Sequence, residues 1–273
     1  MIAVIGATGN VGRALVDRLV AADSPVRALT RDPERSGLPA QAETVRFQLD
    51  DPAPLFAGVT RLFIYAHATD PGLLDAARRA GVRHVVLLSS GIVREGADTS
   101  HPIHVWHARA EQQVRDSGLE WTFLRPNAFA TNAFQWAPQI RTGDTVRGPY
   151  ADAAWAPIHE DDIAAVAERA LLDGGHAGAA HRLTGPEPIT TAQQIAVIGH
   201  ALGRDLRFTE VPADQVDAEL FPHVPPEMLR GLIERLAASV GTTPEITTTV
   251  ERLTGTPART FATWAEDHAD DFR

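Results

Sequence analysis

Gly6-Ala7-Thr8-Gly9-Asn10-Val11-Gly12 follows a short apolar run, Ile2–Ile5, and opens a stretch with Leu15, Val16, Leu19 and Val20 on one helical face. Glycines at this spacing between a strand and a helix can cradle phosphates. Gly6 permits the tight turn, Gly9 lets the backbone approach a pyrophosphate, and Gly12 lets helix and strand pack closely. The phosphates then sit on the helix N-terminus, where free N–H groups and the dipole favour anions. Thr8, Asn10 and Val11 complete this candidate cradle. An ordinary strand-to-helix turn would show the same glycines, but five further strand-like runs follow here, the context a dinucleotide-binding unit needs. At the end of the second strand, where an acid would select NAD, the sequence has Thr30-Arg31. Arg31 can pair with a 2′-phosphate, so the expected cofactor is NADP(H). Asp32 is a competing signal, and the following Pro33 reads it instead as the cap of a helical turn.

Other groups invite chemistry and are weighed in the same way. His101, His104 and His107 recur at a spacing of three, whereas helical zinc pairs use i, i+4. A helix-entry cluster explains them better, and no metal site is expected. Ser89 and Ser90 end the fifth strand, at the edge where ligands bind in such sheets, so a hydroxyl there could reach a nicotinamide. The same edge supplies Gln48, Ala66, His67, Asn127 and Phe129 as further candidate cofactor contacts. Gly-x-Ser-x-Gly is absent, which argues against a serine hydrolase.

The composition bounds the possibilities. The 273 residues suffice for a dinucleotide domain with a smaller partner lobe. The formal charge of −10, without a basic run, argues against nucleic acid or an anionic membrane as partner. No cysteine is present, which excludes disulfides, thiolate zinc and cysteine nucleophiles. No apolar run approaches the ~20 residues of a membrane span. The glycine loop begins at residue 6 with no leader-like segment before it, so the expected location is the cytoplasm. All 25 basic residues are arginine, so no lysine can form a Schiff base or share in catalysis.

The elements that must position these groups alternate. Strands are expected at Ile2–Ile5, Pro25–Leu29, Val45–Phe47, Leu62–Tyr65, His84–Leu88 and Trp121–Leu124. Helices are expected at Pro71–Ala80 and Val105–Ser117, ended by Gly81 and Gly118. Continuous apolar strands between helices indicate a parallel sheet covered on both faces. The fold class is α/β: a doubly wound Rossmann sheet over residues 1–133, completed by about 159–184. Residues 134–158 and 185–273 form a smaller substrate lobe. There Asp161-Asp162 is expected to cap a helix, and Phe129, Phe134, Trp136, Trp155 and Phe221 could line a cleft, although aromatics are more often core.

The chain resembles the NmrA-like, atypical branch of the short-chain dehydrogenase/reductases. The resemblance rests on the glycine loop, on Val85–Ser90, on His107-x-x-x-Glu111, on Ser117–Asn127, on His159–Ala164 and on Leu183–Pro186. It implies a Rossmann lobe, NADP(H) and a cleft between two lobes. The superfamily's Tyr-x-x-x-Lys pair is missing, and neither Tyr65 nor Tyr150 lies on the expected helix. In isoflavone-reductase-like relatives a lysine occupies that helix, and counting back from Gly118 places His107 there. The resemblance thus offers His107 and Ser89 as catalytic candidates, with Glu111 able to orient the imidazole. A histidine that holds a neighbour or the cofactor ribose is the equal alternative. Three functions follow: an NADP(H)-dependent reductase of a small, largely apolar carbonyl, quinone, enone or iminium compound; a cofactor-sensing regulator; or a non-redox lyase or isomerase. The sequence leaves the oligomeric state open.

Overall fold

The computed structural model describes residues 1–216, 220–221 and 226–273. In chain order the strands and α-helices are β1 (Ile2–Ile5), α1 (Asn10–Ala21), β2 (Val26–Thr30), β3 (Glu43–Arg46), β4 (Arg61–Tyr65), α2 (Pro71–Arg79), β5 (His84–Leu88), α3 (Pro102–Asp116) and β6 (Glu120–Pro126). There follow α4 (Ala137–Thr142), β7 (Thr145–Gly148), β8 (Ala154–Trp155), α5 (Glu160–Leu172) and β9 (Ala179–Leu183). The remainder holds β10 (Ile189–Thr190), α6 (Thr191–Leu202), β11 (Arg207–Glu210), α7 (Pro226–Ser239), α8 (Thr249–Thr254) and α9 (Phe261–Asp267).

The chain forms two units. The first comprises Met1–Asn127, Glu160–Leu183 and Thr249–Thr256. Its seven-stranded sheet has the order β3-β2-β1-β4-β5-β6-β9, and each pair is parallel. The apolar runs are buried as sandwiched strands should be: β1 and β2 along their whole length, β5 except at Leu88. Beside the sheet, Leu73, Leu74 and Ala77 of α2 join Ala110 and Val114 of α3 in a core with Leu62, Ile64, Val85 and Leu87. Val11, Leu15, Val16 and Leu19 are the buried stripe of α1, which packs on α5. Gly81 and Gly118 carry the expected left-handed turns, with φ of +101° and +73°. α3 begins at Pro102, three residues earlier than expected, because His101 serves as its N-cap.

The second unit comprises Ala128–His159, Thr184–Thr248 and Pro257–Arg273. Trp136, Ile140, Ile195, Ile198, Phe261 and Trp264 build its core. β8 pairs antiparallel with β10, and β7 parallel with β11. Thr190 and Gln193 form a capping box that starts α6. Two sequence expectations need correction here. Residues 249–256, with α8, fall in the first unit rather than the smaller lobe, because α8 packs on α5 and β9, and residues 128–133 fall in the second. Asp161 and Asp162 do not precede a helix as its cap; with Glu160 they form its first turn.

Two histidines in the first unit, His181 and His84, make its stability depend on pH. His176 Nδ1 lies 3.2 Å from His181 Nε2, and His84 Nε2 lies 2.9 Å from Thr122 Oγ1. Burial, with His176 and Arg252 nearby, holds His181 at about 4, and burial also lowers His84. Unfolded, these rings take protons near 6.5, so below that pH the unfolded chain binds more protons than the folded one. The contribution is therefore complete above about pH 6.5 and is lost as the pH falls toward 4. Because water still reaches His181, about 1–2 kcal/mol is expected rather than the full shift. Urea melts at pH 7 and pH 5 should show this loss, and His181→Gln should reduce it. An unchanged pH dependence in the variant would remove His181 from the account.

Candidate functional site

All strands of the parallel sheet point the same way, so their carboxyl ends share one edge. Gly6–Gly12, Arg31, Gln48, Ala66, His67, Ser89 and Asn127 all follow strand ends on that edge. Gly6 has φ +77°, a left-handed turn that other residues strain to adopt. Its carbonyl accepts from Gly9 N–H at 3.0 Å. A Cβ on Gly12 would lie 2.1 Å from that same carbonyl oxygen, so helix and strand approach as only glycine permits. Gly9 is the N-cap of α1; no side chain caps the helix, and no acid lies in its first turn. The N-terminus of α5, by contrast, carries three acids. α1 thus offers an uncompensated positive end with N–H groups aimed outward, and the cradle fits a pyrophosphate.

The loop after β2 is tied to this cradle from two sides. Thr8 Oγ1 lies 3.3 Å from Thr30 Oγ1. Arg13, on α1, donates to the carbonyls of Ser36 at 2.7 Å and Gly37 at 3.0 Å. Arg31 is exposed, and its carbonyl accepts from Arg46 at 2.8 Å. Asp32 does not cap a helix: Ser36 N–H closes a turn on Pro33 O, and the Asp32 carboxylate faces Arg35 at 4.0 Å. Gln48 is exposed one residue beyond Phe47, whose N–H donates to Thr30 O. Arg31→Ala is expected to weaken NADP(H) about 10- to 100-fold and leave NAD(H) affinity nearly unchanged, since a charge-assisted pair contributes about 1.5–3 kcal/mol. Fluorescence titration of both cofactors checks it; equal losses for the two would refute a 2′-phosphate contact.

The end of β4 holds an aromatic group that sequence reasoning set aside. The Tyr65 ring lies against Gly6, with Cε1 3.0 Å from where a Cβ would stand. Its signal was its place at a strand end rather than any helix pattern. Beyond it Ala66 is buried and His67 exposed. Ring centroids run Tyr65 to His67 at 5.9 Å, His67 to Trp106 at 4.2 Å and Trp106 to His107 at 4.5 Å. This aromatic ladder joins the glycine loop to α3 and sets both His67 and His107 against one indole. Two of the three regularly spaced histidines lie at the helix entry: His101 Nδ1 accepts from Ile103 N–H at 3.2 Å, and His104 is buried.

Ser89 and Glu111 act together, in a way the sequence did not show. Ser89 is 1% exposed and donates its proton to Glu111 Oε1 at 2.8 Å. Glu111 is wholly buried, clasped by Arg125 through two bonds of 2.8 and 2.6 Å and by Arg115 at 3.0 Å. Arg115 in turn lies over Phe123 at 4.7 Å and Trp121 at 5.1 Å. The expectation that Ser89 supplies a proton is therefore corrected, because its proton is committed to a carboxylate. Glu111 likewise ties β5, α3 and β6 together, its charge matched by two guanidinium groups, rather than serving as a dedicated anion for His107. Ser90 is also buried, and its hydroxyl accepts from Ile92 N–H. Gly91 lets this loop meet β6, since a Cβ there would lie 3.0 Å from Asn127 Cα. Asn127 N–H donates to Leu183 O at 3.0 Å.

The remaining candidates belong to the second unit. Phe129 bridges to Ile158 and precedes a 3-10 turn, Ala130–Trp136. Trp136 and Phe221 are buried, and Phe134 packs on Trp264 and Phe272. These three are core rather than cleft lining. Trp155 alone of the five lies beneath an arginine, Arg235.

A glycine-cradled helix N-terminus at the carboxyl edge of a parallel 3-2-1-4-5-6 sheet defines a dinucleotide-binding protein. The chain belongs to the NAD(P)H-binding family, whose pattern matches residues 6–173, and it is an NAD(P)H-dependent oxidoreductase. It is 40% identical, over all of its length and 99% of the relative's, to a (4-alkanoyl-5-oxo-2,5-dihydrofuran-3-yl)methyl phosphate reductase of Streptomyces griseus. It is 33% identical to an NAD(P)H azoreductase of Xenophilus azovorans, over all of this chain and 99% of that one. Among solved structures, an NADPH-dependent quinone oxidoreductase of Escherichia coli complexed with NADPH superposes with a TM-score of 0.80 at 25% identity, covering 98% of this chain and 99% of the other. Among the described residues no helix is long and apolar enough to cross a membrane.

Proposed function

We propose that the protein is an NADPH-dependent reductase of electron-poor, conjugated acceptors, enones and quinones, and that unreactive isolated ketones are poor substrates. The observation that carries this reading is the buried Ser89–Glu111–Arg125 cluster in a chain without lysine. The hydroxyl nearest the end of β5 has no proton to give, so no acid relay of the usual kind is assembled there. When bound, the dinucleotide supplies a hydride. An isolated ketone would need a proton at the same moment, because an alkoxide is a strong base. An enone or quinone spreads the new charge over conjugated carbonyls, and its proton can arrive later. The cradle at Gly6–Gly12 and the N–H groups of Asn10, Val11 and Gly12 hold the pyrophosphate, Arg31 the 2′-phosphate, and Gln48, Ala66, His67 and Asn127 line the same edge. His107, at the end of the aromatic ladder, holds the proton for the enolate. The compound named for the Streptomyces relative supports this, since it describes an alkene flanked by two carbonyls.

The test is consumption of NADPH absorbance with an alkanoyl butenolide, menadione and cyclohexanone. The first two should be reduced and the third left almost untouched. Comparable rates for all three would overturn the reading. His107→Ala should lower kcat for the butenolide about 10²-fold with NADPH affinity unchanged. Weaker NADPH binding with kcat retained would place His107 on the ribose instead.

A further inference from the structure

Arginines stand at both ends of β2 and its neighbour β3, and only one end is matched by an acid. The two strands pair with Arg27 opposite Glu43 and Thr30 opposite Arg46. At the amino end Arg27 reaches Glu43 at 3.0 Å and donates to the carbonyls of Leu55 and Ala57. At the carboxyl end two arginines meet instead. Arg46 Nη1 donates to Arg31 O at 2.8 Å, which sets the Arg46 guanidinium against the backbone of the residue proposed for the 2′-phosphate. Both residues are exposed. Among the described residues no carboxylate pairs with either: Asp32 faces Arg35, and Glu43 is taken by Arg27. Like charges held together repel, and a phosphate dianion between them relieves the repulsion through charge-assisted bonds. One N–H of Arg46 is already anchored on a main-chain carbonyl, so less side-chain freedom is lost when its other N–H groups take an oxygen. Arg13, from α1, holds the far side of the same loop through Ser36 O and Gly37 O. The loop that carries Arg31 is thus fixed from α1 and from β3 together.

We propose that Arg46 is a second binding residue for the 2′-phosphate of NADP(H), and that Arg31 and Arg46 take the phosphate from two neighbouring strand ends. This rests on the reading of Arg31 above and concerns the cofactor alone, so it stands apart from the choice of substrate. Arg46 lies fifteen residues beyond Arg31 in the chain, and only the pairing of β2 with β3 brings the two together. Because each arginine keeps its own contacts when the other is removed, the preference for NADPH should fall in two steps.

Calorimetric titration of adenosine 2′,5′-bisphosphate, NADPH and NADH tests this without turnover. Arg46→Gln should bind the bisphosphate and NADPH about 10-fold more weakly than wild type, and NADH within about 2-fold. Arg46→Lys, which keeps the charge but not the planar fork, should lie in between. The double variant separates a direct contact from a supporting one. In an Arg31→Ala background, Arg46→Gln should still weaken the bisphosphate about 5-fold or more. No further loss there would mean that Arg46 serves only to hold the Arg31 carbonyl, and the proposal is overturned. Equal losses for NADH and NADPH also overturn it, because Arg46 would then support the loop rather than the phosphate. If Arg46→Gln keeps the NADPH preference while Arg31→Ala loses it, this proposal falls and the reading of Arg31 stands. A wild type that binds NADH and NADPH alike refutes both. Retained NADH binding shows that each variant is folded with its glycine cradle intact.

Discussion

Gly12→Ala is expected to cost the protein both stability and its cofactor, whereas Gly9→Val should leave a stably folded protein that no longer binds NADPH. The difference lies in what a new Cβ would meet. At Gly12 it would stand 2.1 Å from the Gly6 carbonyl oxygen, a backbone atom held by the turn itself. That overlap can be relieved only by separating α1 from β1, which opens the core around Leu15 and Leu19 and is expected to lower stability by about 2–4 kcal/mol. At Gly9 the same atom stands 3.3 Å from that oxygen, tight but relieved by a few tenths of an ångström. Valine there keeps the turn and fills the space in front of the uncapped N–H groups, where the pyrophosphate must come. Affinity for NADPH should fall at least about 100-fold. Melting each variant with and without NADPH separates the effects. A Gly9→Val protein that still gains stability from NADPH would move the phosphates elsewhere, and a Gly12→Ala protein that melts like wild type would show that α1 can shift freely.

Glu111→Ala should give a large loss of stability, comparable to truncating a buried aromatic. It leaves the Arg125 guanidinium, 17% exposed, without its carboxylate, releases Arg115, and deprives the Ser89 hydroxyl of its acceptor. Breaking a buried ion pair from one side typically costs about 3–5 kcal/mol, which for a chain of this size lowers the melting temperature by roughly 10 °C. Glu111→Leu combined with Arg125→Met should recover part of it, because no unmatched charge then remains buried. A shift under about 2 °C for Glu111→Ala would show that water compensates the arginines.

The sheet was legible in the sequence because β1, β4 and β5 are short, largely apolar runs closed by a glycine or a polar residue. His84–Leu88 matches its strand without adjustment. Strand ends at the carboxyl edge could be read for the same reason, and with them the placement of Gly6, Arg31, His67, Ser89 and Asn127. Partnership was not legible. Nothing in Glu111 shows that it meets Arg125, fourteen residues on, rather than His107, four residues back on the same helix. The Arg13 clasp on Ser36 and Gly37 joins residues more than twenty apart and carries no spacing signal. The aromatics of the second unit misled because composition does not distinguish a core from a cleft, and only packing places Trp136 in the first. Likewise the six residues of α8 have a pattern too short to show which unit they complete.

The first unit is threaded from three stretches of chain, and this sets a timetable for synthesis. When residue 127 leaves the ribosome the sheet still ends at β6, whose outer row of amides and carbonyls has no neighbour until β9 arrives at residues 179–183. At about 5–20 residues per second that edge stands bare for several seconds, and α8 follows several seconds later still. An unpaired central-type strand is a template for any other extended chain. Nascent copies on one message are therefore most prone to pair wrongly in this interval, and slowing translation between codons 127 and 183 should lower the soluble yield more than slowing it before them.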